Sequence, residues 1–93
     1  MGLFWVYMLE MLGKNNKKAY YIGYTSNLTK RIAQHKSGKG ARYTKGKKII
    51  KLVYTESYST RSEAMKREIA LKKLKHVEKS QIALNYSSVP KTE

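Results

Sequence analysis

The sequence predicts a small α/β domain, and three observations lead to that class. Two segments rich in aromatic and branched apolar residues flank the polar turn GKNNKK (13–18), which indicates a β-hairpin. The β-branched segment IIKLVYT (49–55) indicates a third strand. Two later segments combine capping residues with apolar stripes and indicate helices. A chain of 93 residues fits one domain with a single modest core, predicted here over residues 1–85 with a flexible tail over 86–93.

The first strand is predicted over Leu3–Leu9. Both of its faces are apolar, so we expect it in the centre of a sheet. AYYIG (19–23) returns as its hairpin partner. Gly23 ends this second strand, which indicates either a backbone bend or the close approach of a ligand.

The first helix is predicted roughly over Leu28–Lys36, with Ser26 or Asn27 as its cap. Arg31 and His35 are four residues apart, so they are neighbours on the helix surface beside its apolar stripe. We therefore expect both at the rim where this helix meets the sheet.

The second helix is predicted to open with the capping box TRSE (60–63) and to run to about Lys75. A short third helix is expected around Val77–Leu84.

The charge balance indicates a polyanionic partner. The chain has 20 Lys and Arg residues against six acids, a formal net charge of +14. That excess costs compact-state stability through self-repulsion and is typical of proteins that bind nucleic acid, more often than of membrane-surface proteins. Seven positive residues and no acid lie between Lys36 and Lys51. A merely basic structural protein is the alternative.

Several residue types are absent, and each absence narrows the chemistry. Without cysteine there is neither a disulfide nor a thiolate zinc site, which fits a cytoplasmic protein. The apolar segment LFWVYMLEML (3–12) is too short to span a membrane, so no membrane association is expected. There is no aspartate, and six scattered glutamates argue against a two-metal nuclease site. Phosphodiester cleavage by this chain would use one metal ion or none, with cationic and phenolic groups.

Glu68 is the most informative acid. It shares the inward stripe of its helix with Ala64 and Leu71, where a carboxylate is either paired or a metal ligand. The plain alternative is an ion pair with Arg31, Arg67 or Lys72. Glu63 is explained by the capping box, and three further acids are expected to be solvated: Glu10, Glu56 and Glu78.

Four other side chains are candidates for chemistry. Arg31 is suited to clamping a phosphate, or else covers the helix edge with its stem. His35 is suited to proton transfer or a phosphate contact, although a single histidine there is more often structural. The hydroxyls of Tyr7 and Tyr21 are placed to meet on one face of the sheet, with plain cross-strand packing as the alternative.

In these motifs the chain resembles the GIY-YIG nuclease family. The tripeptide YIG is intact at Tyr21-Ile22-Gly23, while the first tripeptide is degenerate, Trp5-Val6-Tyr7, and keeps only the tyrosine. GYTSNLTKRIAQHKSGKGARYTKG and RSEAMKREIALKKLKHVEK are similar to the small stand-alone branch of the family. The resemblance covers almost the whole chain, from about Phe4 to about Leu84.

The resemblance implies a three-stranded antiparallel sheet flanked by helices, and hydrolysis of DNA with one divalent ion, Mg²⁺ or Mn²⁺. By motif it implies that Tyr7 and Tyr21 are the catalytic tyrosines and Arg31 the transition-state arginine. It also implies that His35 belongs to the site and that Glu68 is the metal ligand. The implied biological setting is DNA repair or recombination.

Substrate binding is expected from Gly23, which would let backbone approach the site, and from basic residues after the first helix: Lys39, Arg42, Lys45, Lys47 and Lys48. Larger family members add a targeting domain and a late asparagine, for which Asn85 is the nearest match here. We therefore expect branched, flapped or single-stranded DNA as substrate, with RNA or a targeting partner protein as open alternatives. A nucleic-acid-binding module with little or no turnover is the second hypothesis.

Overall fold

The computed structural model describes residues 2–13, 16–38 and 47–88. Within them the predicted α/β order is confirmed, and the elements are β1 (Phe4–Leu12), β2 (Lys18–Thr25), α1 (Leu28–Lys36), β3 (Lys48–Tyr58), α2 (Arg61–Lys72) and α3 (His76–Ser88). No helix in the described part of the chain is long and apolar enough to cross a membrane.

The three strands form one antiparallel sheet in the order β2-β1-β3, so β1 is central as predicted. Its register with β2 pairs Tyr7 with Gly23, and its register with β3 pairs Leu12 with Lys48. The apolar character of both faces of β1 follows from this position, because helices cover the sheet on each side.

Side chains of β1 alternate between two core clusters. Tyr7, Leu9 and Met11 point to the face covered by α1. Val6 and Met8 point to the opposite face, which is covered by α2 and α3. The result is a helix–sheet–helix sandwich in which each buried side chain of β1 has a defined layer.

Capping residues fix where α1 and α2 begin. Asn27, rather than Ser26, caps α1, with its Oδ1 accepting from the Lys30 amide at 3.1 Å. Thr60 caps α2 as predicted, and its Oγ1 accepts from the Glu63 amide at 3.2 Å. The same hydroxyl is 2.9 Å from the Glu63 carboxylate, which holds the first turn closed.

The predicted ends of several elements were wrong. β1 continues to Leu12 because the buried alternation persists through Met11. α3 runs to Ser88 and so includes Tyr86, where the flexible tail was predicted to start. The Tyr86 hydroxyl is hydrogen bonded to that of Thr55 at 3.1 Å, a tertiary contact that the sequence pattern does not reveal. Residues 89–93 of the predicted tail lie outside the described residues.

Glu56 joins α2 to β3 and is not solvated as the sequence suggested. Its carboxylate accepts hydrogen bonds from the Tyr54 hydroxyl at 2.9 Å, from the Tyr58 hydroxyl, and from Arg67 Nε at 2.9 Å. Burial alone would raise the pKa of Glu56, but the three donors outweigh it and hold that pKa below the ordinary value of 4.5. The charged carboxylate is therefore the form that the fold stabilises.

This cluster predicts acid sensitivity. Because the pKa of Glu56 is lowered in the folded state, its stabilising effect is complete above pH 4.5 and is lost as the pH falls below that value. Urea unfolding of Glu56→Gln from pH 7 to pH 3 should show a lower free energy of unfolding at neutral pH and a shallower acid decline than wild type. Glu78 is exposed on α3 but is not solvated as predicted, since its Oε1 accepts from the Lys75 amide at 2.8 Å. Glu78→Gln keeps an oxygen that can accept this bond, so it should stay closer to the wild-type acid dependence than Glu56→Gln does. Parallel curves for wild type and Glu56→Gln would contradict this role.

Candidate active site

A pocket of about 700 Å³ opens at the edge of the sheet beside β2. Its lining includes four side chains predicted from the sequence to carry chemistry, together with the predicted glycine: Tyr7, Tyr21, Arg31, Glu68 and Gly23. They come from β1, β2, α1 and α2, so the pocket exists only when all four elements are packed. His35 lies directly behind it rather than on its surface.

Tyr7 reaches the pocket by lying across the neighbouring strand. A Cβ placed on Gly23 would be 2.7 Å from the Tyr7 Oη and 2.9 Å from its Cζ, distances that real side chains do not tolerate. The absence of a side chain at position 23 therefore makes room for the phenol. Gly23 was predicted to end the second strand, for a backbone bend or for the close approach of a ligand. β2 instead continues to Thr25, and the glycine makes room for the ring of Tyr7.

His35 holds the phenol from behind. Its Nε2 is 2.8 Å from the Tyr7 Oη, and only 1% of the residue is exposed. The imidazole also packs edge-on against Tyr7 and against the ring of Tyr21, with centroids 5.8 and 4.9 Å away. Burial, and then the nearby positive charge of Arg31, lower the pKa of His35 below 6.5, so the ring is neutral at pH 7.

The electrostatics of the pocket keep Tyr7 protonated in the free protein. Burial is the dominant cause and raises the pKa of the Tyr7 phenol from 10.0 to about 12. The Arg31 guanidinium opposes this shift, while the nearby Tyr21 and Glu68 add to it. A hydrogen-bonding interaction with Tyr7 in turn raises the pKa of Arg31, so this cation is permanent.

Gln34 orients Arg31 and was missed by the sequence analysis. The Arg31 Nη1 donates to the Gln34 Oε1 at 3.1 Å, and both residues line the pocket. The spacing of three residues along α1 was the available signal, because such residues are neighbours on a helix.

Glu68 brings the carboxylate to the opposite wall. It lies on α2 one turn from the buried residues Ala64 and Leu71, as its place in the stripe predicted. Its side chain is 16% exposed, and Oε2 is 3.5 Å from the Lys72 Nζ. Of the three ion pairs that the sequence offered as alternatives, the structure shows the one with Lys72.

The donor set of the pocket fits a hard divalent cation with only one protein ligand. Glu68 supplies a partly exposed carboxylate oxygen, and Mg²⁺ is commonly held by one or two carboxylates with water and substrate phosphate completing its shell. No group of three or more His, Cys, Asp or Glu residues lies together in the part of the chain that the structure describes. The described residues therefore do not form the multi-ligand site that a transition metal usually requires.

Of the five predicted basic residues, the two that the structure describes, Lys47 and Lys48, do not line the pocket. Lys39, Arg42 and Lys45 lie outside the described residues. Lys48 pairs with Leu12 in the sheet. Leu12 is five residues from Tyr7 along β1, a distance of about 17 Å. The neighbouring Lys47 lies beside Gly13 at that same end of the sheet.

Two cations that the sequence did not single out line the pocket, Lys30 on α1 and Arg61 on α2. Arg61 is seven residues before Glu68, two helical turns away on the same face, and this spacing could have identified it. Asn85 belongs to α3 and is not among the residues that line this pocket.

Comparison with known proteins finds relatives that are all UPF0213 proteins in the three cases that follow. A UPF0213 protein from Halobacterium salinarum is 40% identical over 74 residues, which is 80% of this chain and 91% of the relative. A UPF0213 protein from Staphylococcus haemolyticus is 46% identical over 72 residues, covering 77% of this chain and 83% of the relative. One from Streptococcus pneumoniae is 43% identical over 63 residues, 68% of this chain and 64% of the relative.

Among solved structures, the solution NMR structure of the UPF0213 protein BH0048 from Bacillus halodurans is similar to this chain. It shares 38% identity, with 86% of this chain and 81% of that chain covered, and a TM-score of 0.49. A family model described as the GIY-YIG catalytic domain matches residues 3–81. The chain therefore belongs to the GIY-YIG nuclease family, among the small stand-alone UPF0213 proteins.

Proposed function

We propose that this protein is a divalent-metal-dependent endonuclease that hydrolyses DNA phosphodiester bonds in repair or recombination. The observation that carries the proposal is the convergence of Tyr7, Tyr21, Arg31 and Glu68 on one pocket, with His35 bonded to Tyr7. Phenol, guanidinium, imidazole and carboxylate are the groups that phosphodiester hydrolysis needs for proton transfer, charge stabilisation and metal binding.

In this mechanism Tyr7 and His35 act together. We assign neutral His35 the tautomer with no proton on Nε2, so that Nε2 accepts from the Tyr7 hydroxyl 2.8 Å away and fixes the phenol oxygen. That oxygen orients the attacking water and takes its proton while the phenol proton moves to His35, so the buried phenolate does not have to form in isolation. The neutral imidazole is required, and the lowered pKa of His35 supplies it.

Arg31 faces the charge that develops on the phosphate. Its guanidinium is held by Gln34 and by the phenols, so it is oriented before the substrate binds. A divalent ion bound at Glu68 would polarise the phosphate and stabilise the leaving oxygen. Lys30 and Arg61 bind neighbouring phosphates at the rim.

The cations at the pocket favour recognition of the DNA backbone over recognition of base sequence. Lys30, Arg31 and Arg61 are phosphate-binding groups, and phosphate contacts position a protein without carrying sequence information. We therefore propose branched, flapped or single-stranded DNA as the substrate. These DNAs contain flexible unpaired strands, whose phosphates can enter a pocket at the edge of a small sheet.

A second candidate is a nucleic-acid-binding module with little turnover. One observation favours it: the Glu68 carboxylate is already paired with Lys72, and that ammonium competes with a cation. This module would bind DNA with a steep salt dependence but would not cut it in Mg²⁺ or Mn²⁺.

Single substitutions separate the two candidates. Tyr7→Phe, Arg31→Ala and Glu68→Ala should each lower the single-turnover cleavage rate by about 10² to 10³, because each removes one proton-transfer or charge-stabilising group. The rate is measured on labelled flap, junction and single-stranded DNA with Mg²⁺, with Mn²⁺ and with neither. Tyr86→Phe removes a hydroxyl on α3 and is the matched control that should cut normally. Cleavage unchanged in all three variants would overturn the proposal, and binding without cutting by wild type would favour the second candidate.

Gly23→Ala should inactivate the enzyme without weakening DNA binding. The added methyl displaces the Tyr7 hydroxyl and breaks its bond to His35, whereas the cations at the rim are untouched. We expect a cleavage rate at least about tenfold lower, with the dissociation constant for DNA within about twofold of wild type. Gly13→Ala is the control, because a Cβ there makes only ordinary contacts at 3.7 and 3.9 Å. A Gly23→Ala enzyme that cuts at the wild-type rate would contradict the crowding argument.

The rate of cleavage should depend on the protonation of His35. Because burial lowers its pKa, the imidazole stays a proton acceptor down to pH values below 6.5, and the rate should fall only in more acidic solution. The measurement is kcat/KM from pH 5 to pH 9 on a single DNA substrate, with folding checked at each pH. His35→Gln should remove this acid limb and lower the plateau. A limb that persists in His35→Gln would assign the titration to another group.

A further inference from the structure

A second groove lies on the other face of the sheet and shares no lining residue with the active-site pocket. Its volume is about 350 Å³. Tyr20, Glu10 and Lys51 form a row across β2, β1 and β3, because the sheet register pairs Glu10 with both of the others. Ser80 and Ala83 of α3 form the wall opposite this row. We call this cavity the Glu10 groove.

The sequence placed Glu10 among the solvated acids, and the structure buries it to 7% exposure. Two groups contact its Oε2 atom, both at long distances: the Tyr20 hydroxyl at 3.4 Å and the Lys18 Nζ at 3.9 Å. Oε1 has no hydrogen-bond partner among the described residues, although a carboxylate accepts about four bonds. It is also not sealed off, since no buried polar atom in those residues lacks a partner. Oε1 is therefore accessible, and Glu10 is one of the residues that line the groove.

The surroundings of this acceptor limit what it can bind. Lys18 and Lys51 stand at the rim, so a bare divalent cation or a basic peptide would meet two like charges. An isolated phosphate would meet the carboxylate. The complementary ligand carries N–H donors for Glu10, an anionic group for the lysines, and a flat apolar body for the wall of Val53 and Ala83.

A guanine nucleotide unit has these three features. Adjacent N–H donors on the Watson–Crick edge of guanine match the two oxygens of a carboxylate, and its phosphate matches the lysines. Proteins recognise unpaired bases on this edge. We propose that the Glu10 groove binds an unpaired guanine base, with Glu10 accepting from its Watson–Crick edge and Lys18 and Lys51 holding its phosphate.

The position of the groove suggests how it would serve the active site. Glu10 is three residues along β1 from Tyr7, about 10 Å, on the opposite face. A single strand that passes around the β2 edge would reach both sites. This use rests on the proposed nuclease function, but binding of the base does not, because it needs neither metal nor cleavage.

The test is an NMR titration of backbone amides without divalent ions. The probes are GMP, IMP (which lacks the guanine amino group), inorganic phosphate, and a single-stranded pentamer of thymidines with one central guanine or inosine. GMP should shift amides at Glu10, Val53 and Ala83, and IMP should bind about tenfold more weakly, the loss expected for one charge-assisted bond. The pentamer pair should show the same preference if a base within a strand is the ligand, and no preference if only a free nucleotide is.

Variants make the result decisive. Glu10→Gln presents a donor to the guanine edge and should abolish the preference for GMP over IMP, while Glu78→Gln on α3 should keep it. Ser80→Leu fills the groove from its outer wall and should weaken GMP binding without touching the carboxylate. Equal binding of GMP, IMP and phosphate, or shifts confined to the pocket around Tyr7, would overturn the proposal. GMP binding by a protein that cuts no DNA would support this groove and refute the nuclease proposal.

Discussion

The candidate active site depends on one close contact, the phenol of Tyr7 lying over the bare backbone of Gly23. This contact carries the hydroxyl from the centre of the sheet to its edge, where substrate has access. His35 on α1 fixes the hydroxyl from behind, so the packing of α1 against the sheet decides the position of the Tyr7 oxygen. A side chain at position 23 would occupy the same space as this phenol. Steric crowding therefore explains why the YIG motif has glycine at this position.

The same sheet separates two polar regions by the alternation of its strands. Odd-numbered residues of β1 face α1 and lead to the active-site pocket, whereas Glu10 points to the α2 and α3 side. Glu56 clamps α2 to β3 through Arg67, the residue next to Glu68. The anchoring of α2 therefore helps to position the Glu68 carboxylate in the pocket that it lines together with the tyrosines.

The chain has a net charge of +14, and the described cations discussed above lie in separate regions of the surface. Lys30, Arg31 and Arg61 surround the active-site pocket, and Lys18 and Lys51 stand at the Glu10 groove. Lys48 lies at the far end of the sheet. Positive charge thus extends over both faces and one end of the sheet, which supports the proposed binding of a flexible polyanion along a path.

The sequence by itself determined the order of strands and helices, the central strand and the cap at Thr60. It also identified the five candidate site residues Tyr7, Tyr21, Arg31, His35 and Glu68. These features follow from alternation, helical spacing and motif, which are properties of neighbours in the chain. Only the tertiary structure decided that Gly23 accommodates Tyr7, that Arg61 and Lys30 rather than Lys48 border the pocket, and that Glu10 and Glu56 are partnered rather than solvated. Each of these depends on which residues of distant segments pack together, and that is fixed by strand register and helix docking, not by local pattern.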